Sequence, residues 1–278
     1  LIPPSNILIV YSLAGGGLSI GALFLAGYVP GIVVGLSLMA VAGVWAYRAG
    51  YPVGKTHSLR TVGKRFFEAL PSLLMLIVVI GGIVAGIFTA TEAAAVAVLY
   101  ALILAFAYRE IGTSDLPDIL LETVRSTAIV MLLIGTSIAM SWVLSYDHLP
   151  QQISSGLLGL TDSTIVILLL INLILLVVGT FMDMTPAVLI FTPIFLPVVT
   201  ELGMDPIHFG IMMVLNLCVG LCTPPVGTVL FVGAAVADTT IEDLVKPLLP
   251  LFLAMVVALL FVTFTPELSL WLPRVFGF

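Results

Sequence analysis

GTFMDMTPAVLIFTP, running from Gly179 to Pro193, holds one charge, Asp183, inside an otherwise uncharged stretch that reaches from Asp162 to Glu201. Two full membrane crossings cannot reverse direction around so few polar residues at a membrane surface. Thr164 to Val178 and Pro186 to Val199 therefore read as the two arms of a re-entrant helical hairpin, with its tip near mid-membrane and both ends outside. Irregular backbone at that depth is tolerated only when it is buried in protein or lines a wet cavity. The next apolar run is broken by GLCTPPVG, Gly220 to Gly227. Two successive prolines remove two amide donors and push the preceding residue out of helical geometry, so the helix must stop there.

Composition agrees with a chain built for lipid. Of 278 residues, 61 % are hydrophobic and 9 % charged, and the mean hydropathy is +1.28; soluble domains carry about 25 % charged residues. No charge precedes Arg48, and uncharged runs separate Glu68 from Glu92, Glu92 from Arg109, Arg125 from Asp147, Asp205 from Asp238 and Lys246 from Glu267. A crossing helix needs about 20 apolar residues. The fold class expected is an all-α polytopic membrane protein. Two cysteines and nine basic residues speak against a disulfide scaffold and a nucleic-acid binder. Cys218 and Cys222, without His nearby, read as packing residues, because structural zinc sites usually need four ligands.

The linker from Arg48 to Arg65 holds five basic residues and no acid, which places it in the cytoplasm. From there Leu18 to Tyr47 enters, Ala69 to Ala90 leaves, Glu92 to Tyr108 returns and Thr127 to Tyr146 leaves. TTIE, with Thr239 and Glu242, reads as a capping box before a last crossing from Leu244 to Phe264. Eight of the nine basic residues then fall inside, Arg274 being the exception. His57, His148 and His208 sit in or beside loops and read as surface residues.

IPPSNILIVYSLAG at the start of the chain matches TPPVGTVLFVGAAV from Thr223 when Pro3-Pro4 is superposed on Pro224-Pro225. Ile20 and Ile241 then coincide, each opening an apolar helix, with Pro30 and Pro250 one register step apart. By the loop count the first broken helix runs outward and the second inward. Inverted repeats with helices broken at mid-membrane are the architecture of secondary transporters. The second repeat has a hairpin before its broken helix, so the first is expected to have one upstream of Leu1.

Broken helices expose carbonyls and amides without intrahelical partners. Gly179, Thr180, Gly220 and Thr223 offer carbonyls and hydroxyls to a hard cation the size of Na⁺. Thr185 as N-cap and Pro186 as first helical residue would make a helix N-terminus at the tip, whose positive end suits a substrate carboxylate. Asp183, an acid deep in the membrane, is a functional candidate; capping of local amides is the plainer alternative. Thr192 reads as bonded to its own helix, and Glu92 in TATE as part of a capping box from Thr89. Gly27, Gly31, Gly35, Gly82 and Gly86 follow small-xxx-small spacing and should allow close helix packing.

With IPPSNILIVYS, LSIGALFLAGYVPG, GIFTATEAAAVAVLYAL, GTFMDMTPAVLIFTPIFLPV and GLCTPPVGTVLFV in place, the chain resembles the large membrane subunit of tripartite ATP-independent periplasmic (TRAP) transporters, the DctM-like family. The resemblance spans nearly the whole chain, and TATE stands where the family often has TPTE. Family members are longer, which implies that about the N-terminal third, with the first hairpin, precedes Leu1. The resemblance implies an elevator-type Na⁺-driven symporter for organic acid anions such as C4-dicarboxylates or sialic acids, in a bacterial or archaeal cytoplasmic membrane. It implies two partners, a small four-helix membrane subunit and a periplasmic substrate-binding protein. One Na⁺ site would use oxygens of Gly179, Gly220, Thr223 and Val226; the other, carbonyls around Ile2 and Pro4. Ser5 and Asp183 match positions implicated in substrate contact.

The chain thus divides into 1–17, the end of the first broken helix; 18–162, scaffold helices; 163–237, hairpin and second broken helix; and 238–278, a final crossing and tail. The first competing reading is a related two-hairpin Na⁺/carboxylate symporter that works without a binding protein. An intramembrane protease needs two carboxylates sharing a site, whereas Asp147 falls at the outer surface and GTFMD lacks the expected GxGD form. No enzymatic role is expected.

Overall fold

In the computed structural model the chain is described at residues 1–3, 5–51, 58–148, 152–153, 155–156, 159, 161, 163–224, 227–237 and 239–278. Helices dominate and no strand occurs among these residues. Among the described residues seven helices are long and apolar enough to cross a membrane. The chain forms two compact units, one from Leu1–Ala49 and Leu133–Phe278, the other from Gly50–Leu132.

In the first unit, α1 (Asn6–Ala14) starts just after the prolines and ends at a glycine run. Gly16 and Gly17 both have φ +87°, a conformation only glycine adopts without strain. The turn they allow returns the amides of Gly17 and Leu18 to the Ser12 carbonyl. α2 (Ile20–Ala49) is buried from Gly21 to Gly27 and again at Pro30 and Gly31, and Arg48 lies in its last turn. Gly27 and Gly31 do pack closely, against Leu1 and Ile2, whereas Gly35 has nothing within 4 Å, so the small-residue expectation fails there.

The second unit is a helix pair joined by a turn. α3 (Leu59–Val84) and α4 (Ala90–Ala107) pack on each other, and the Tyr100 hydroxyl donates to the Pro71 carbonyl at 2.7 Å. α3 starts ten residues before the expected Ala69 because Ser58 caps it and Lys64 and Arg65 pair with Glu68 across one turn. Gly82 packs under Phe88; Gly86, expected to pack likewise, instead turns the chain at φ +69°. The Thr89–Glu92 capping box is formed. α5 (Leu116–Tyr146) starts in this unit and ends in the other; it too begins earlier than the expected Thr127. Large apolar side chains along α3, α4 and α5 are exposed, as suits helices facing hydrocarbon.

The remaining helices complete the first unit. α6 (Thr164–Phe181) and α7 (Met184–Glu201) form the hairpin, each 18 residues long and each long enough on its own to cross a membrane. α8 (Pro206–Gly220) stops before the Pro-Pro pair, and α9 (Thr228–Ala237) resumes after it, so the expected break is present. At 15 and 10 residues they rise about 22 and 15 Å, too short to cross a ~30 Å core separately. α10 (Ile241–Phe264) and α11 (Glu267–Val275) close the chain.

α8 is the centre of the unit. It packs against α6, α7, α10, α2, α1 and α11, and His208 through Leu217 are all buried, as an all-round apolar helix requires. This corrects the surface reading of His208. Asp205 caps α8, accepting from the amides of Ile207 and His208 at 2.8 and 3.4 Å, and Pro206 follows as the first helical residue. His208 is therefore inside the helix, 1 % exposed, with Nε2 donating to the Thr263 carbonyl at 3.2 Å. His148 closes α5 at φ +55°; His57 and Asp162 lie outside the described residues. The capping box expected at Thr239 and Glu242 does not form; Thr240, one residue later, is the N-cap. Thr240 accepts from the Asp243 amide and donates to its carboxylate, because a shorter acid three residues on reaches the cap equally well.

Candidate functional site

Two chain interruptions meet where α6 ends and α8 ends. Gly179 and Gly220 face each other so closely that a Cβ on Gly220 would lie 2.7 Å from the Gly179 Cα and 2.8 Å from its carbonyl carbon. A Cβ on Gly179 would lie 3.2 Å from the Gly220 Cα. No other residue allows two backbones this near. The last turns of α6 and α8 are thereby brought side by side.

Beneath the glycines on the same faces stand two buried carboxamides. Asn172 precedes Gly179 by two helical turns and Asn216 precedes Gly220 by one. Asn216 Nδ2 donates to the Asn172 carbonyl at 2.9 Å and to Asn172 Oδ1 at 2.8 Å. Asn172 Nδ2 in turn donates to the Leu168 carbonyl at 2.8 Å. Asn216 Oδ1 is buried without a partner. These two residues were missed in the sequence, where their signal was plain: each is a lone carboxamide in an apolar run, INLILLVV and VLNLCVG. Leucine at both positions in a double-mutant cycle, read by thermal unfolding in detergent, should give a coupling of about 0.5–2 kcal/mol; a coupling of zero would mean these bonds do not tie α6 to α8.

The break after α8 gathers oxygens. Thr223 donates its amide to the Gly220 carbonyl at 2.8 Å and its hydroxyl to the Val219 carbonyl at 2.9 Å. The hydroxyl's proton is thus used inward while its lone pairs stay available. The carbonyls of Leu221 and Thr223 converge on Gly227, where a Cβ would lie 2.6 and 2.8 Å from them. Thr180 likewise spends its proton on the Leu176 carbonyl at 3.0 Å. Among the described residues no cluster of three His, Cys, Asp or Glu could hold a metal. A hard cation here would meet carbonyl and hydroxyl oxygens, the donor set that unwound membrane helices offer to Na⁺. Cys218 and Cys222 are free thiols.

At the tip the helix start differs from the expected one. Asp183, not Thr185, is the N-cap of α7; its carboxylate accepts from the Thr185 amide at 3.4 Å, and Pro186 is the third helical residue. An Asp two residues ahead closes this short ring more readily than Thr185 closes one further on. The positive end of α7 is therefore already faced by a carboxylate. Asp183 is exposed and Thr185 half-buried. Thr192, expected to bond its own helix, instead turns its hydroxyl to Met213 Sδ at 3.5 Å, because α7 packs on α8.

The residues before α1 are held by α2: Ile2 packs on Gly31 and the Leu1 carbonyl on Gly27. Ser5 stands at the N-cap of α1 but makes no capping bond with its side chain, which leaves the hydroxyl for another partner. α1 packs on α7 and α8; Tyr11 donates to the Pro206 carbonyl at 2.6 Å. Pro4 and Val226 lie outside the described residues.

Residues 1–268 match the family described as "Tripartite ATP-independent periplasmic transporter, DctM component". The chain is 55 % identical over 277 residues to the uncharacterized protein YgiK of Salmonella typhimurium, covering 100 % of the chain and 64 % of that protein. It is 41 % identical over 278 residues to the C4-dicarboxylate TRAP transporter large permease protein DctM of Pseudomonas aeruginosa, covering 100 % of the chain and 65 % of that protein. To the sialic acid TRAP transporter large permease protein SiaM of Vibrio cholerae it is 39 % identical over 277 residues, covering 99 % of the chain and 65 % of the relative. The chain thus spans just under two thirds of the length of these relatives.

Proposed function

The chain belongs to the DctM component family of tripartite ATP-independent periplasmic transporters, and from that premise we propose that it forms the site-bearing part of a Na⁺-coupled importer of organic acid anions. Relatives named for C4-dicarboxylate and sialic acid support a carboxylate substrate. The importer works in the cytoplasmic membrane with a small four-helix subunit, and a periplasmic binding protein delivers the substrate. Na⁺ binds to oxygens around Gly179, Gly220, Thr223 and Val226, and a second Na⁺ to carbonyls around Ile2 and Pro4. Substrate meets Ser5, Asp183 and Thr185.

The observation that carries this reading is the joining of hairpin end to broken-helix end at Gly179 and Gly220. A cation held by oxygens of the break and an anion held at the hairpin tip would bind within one structure. Each would then stabilise the conformation the other needs, which is the condition for coupled transport. The hairpin is tied to α8 by the Asn172–Asn216 bonds, so the two move together in an elevator step.

The test is uptake into proteoliposomes that contain the complete permease and its binding protein, with labelled C4-dicarboxylate and sialic acid offered separately. An imposed Na⁺ gradient should drive uptake of one of them, and a K⁺ gradient should not. Thr223→Val keeps the shape and removes the hydroxyl oxygen; it should raise the Na⁺ concentration for half-maximal uptake about tenfold, equal to roughly 1.4 kcal/mol. Uptake indifferent to Na⁺ would end the coupling proposal, and an unchanged Na⁺ response in Thr223→Val would remove the hydroxyl from the site.

A further inference from the structure

α2 is buried over its first half and largely exposed from Ile32 onward, although α10 packs against it. Two adjoining cavities fill the gap between these helices, about 690 and about 470 Å³, and both have Ala40, Val41 and Pro250 as walls. The gap exists because small residues, Ala40, Ala254 and Ala258, leave space that larger ones would fill.

The groove has an apolar length and a charged end. Along α10 it runs from Pro250 to Phe261, about 16 Å at 1.5 Å per residue, or one leaflet of a ~30 Å hydrocarbon core. Just past that point Val262 and Thr263 are buried. At the other end Trp45 and Arg48 line the wall, and Lys246 stands one turn before Pro250 on the same face. Neither cation is in any of the ion pairs formed among the described residues. Glu242, one turn before Lys246, faces the same way and offsets it, which leaves Arg48 as the stronger anion partner. Asp243, in the same first turn, is held by Thr240.

We propose that this groove binds one anionic phospholipid, its acyl chain laid between α2 and α10 and its phosphate held by Arg48, with Lys246 contributing. A transmembrane helix from a partner would need about 20 apolar residues across both leaflets, whereas this groove serves one leaflet and closes. A lipid with an apolar tail and an anionic head matches both ends. Trp45 sits where indole rings gather, at headgroup level. Basic recesses between membrane helices recognise anionic heads in this way.

The experiment is native mass spectrometry of the complete permease in detergent, titrated with palmitoyl-oleoyl phosphatidylglycerol or with the phosphatidylcholine of the same chains. Phosphatidylglycerol should be retained as a single tight adduct. Arg48→Gln with Lys246→Gln should weaken it roughly tenfold or more, and Ala254→Trp, which fills the groove, should remove it with both cations intact. Equal retention of the two lipids, or a phosphatidylglycerol adduct unchanged in both variants, would overturn the proposal. So would loss of the small membrane subunit from Ala254→Trp with the lipid adduct kept, since the groove would then belong to a protein helix. Size-exclusion profiles of the variants confirm that each is folded before its adducts are counted.

Discussion

Gly220→Ala is expected to cost both stability and transport, because the added methyl strikes backbone rather than a side chain. The new Cβ would stand 2.7 and 2.8 Å from backbone atoms of Gly179 and 3.1 Å from the Leu176 carbonyl. Backbone at a helix end cannot rotate aside as a side chain can, so α6 and α8 must part. Overpacking of this kind costs about 1–3 kcal/mol, and parting the helix ends also disperses the oxygens of the break. Gly179→Ala is the graded companion. Its Cβ would meet the Gly220 Cα at 3.2 Å and Leu217 atoms at 3.3 Å, one of which belongs to a flexible side chain, so its cost should be smaller. Gly35→Ala, with open space around it, is the control and should stabilise α2 by up to about 1 kcal/mol. Thermal unfolding in detergent and Na⁺-driven uptake should both rank the variants in that order. A Gly220→Ala protein with wild-type melting and uptake would show that this contact does not shape the site.

What could be read in the sequence was whatever covalent chemistry dictates locally. A Pro-Pro pair stops a helix wherever it stands, and the break between Gly220 and Thr228 appears where it was expected. A lone acid in a long apolar run marks a turn, and the chain turns at Asp183. Choices between near-equivalent neighbours were less legible. Thr185-Pro186 has the look of a cap and first helical residue, but Asp183 reaches the Thr185 amide first. Thr240 and Asp243 displace Thr239 and Glu242 on the same grounds. His208 shows a third limit. Its polarity suggested a surface, whereas Asp205-Pro206 starts the helix earlier and carries the ring into the centre of the unit. Nothing local announces that α8 is central, because centrality depends on six helices that pack around it from distant parts of the chain. The Asn172–Asn216 pair was hidden for the same reason: each amide is visible alone, but their meeting is tertiary.

Asp183 should prove the most sensitive single position for transport, and two substitutions separate its possible roles. As N-cap it accepts from the Thr185 amide at a long 3.4 Å and is exposed, so its structural share is modest; losing a cap costs about 0.5–2 kcal/mol. Asparagine caps as well as aspartate does but carries no charge. If the carboxylate serves only the helix, Asp183→Asn should transport normally and Asp183→Ala should lose a few degrees of melting temperature with uptake largely kept. The proposed substrate contact predicts otherwise. Both variants should assemble, and both should lose uptake by at least about a hundredfold, equal to roughly 2.7 kcal/mol. The reason lies in the position of the charge. Asp183 occupies the positive end of α7, the place a substrate carboxylate would seek, one turn beyond the glycine contact that carries the oxygens of the break. Asp183 holds the Thr185 amide in the structure; on the proposed reading an arriving anion would take over that amide and free the carboxylate for the cation, which would link loading at the tip to loading at the break. With asparagine the cap is kept without its charge, so an anion could still compete for the helix end while the proposed link to Na⁺ would be lost. Asp183→Asn should therefore keep substrate binding to the detergent-solubilised permease while abolishing Na⁺-driven uptake. Full uptake in Asp183→Asn would reduce the residue to a cap.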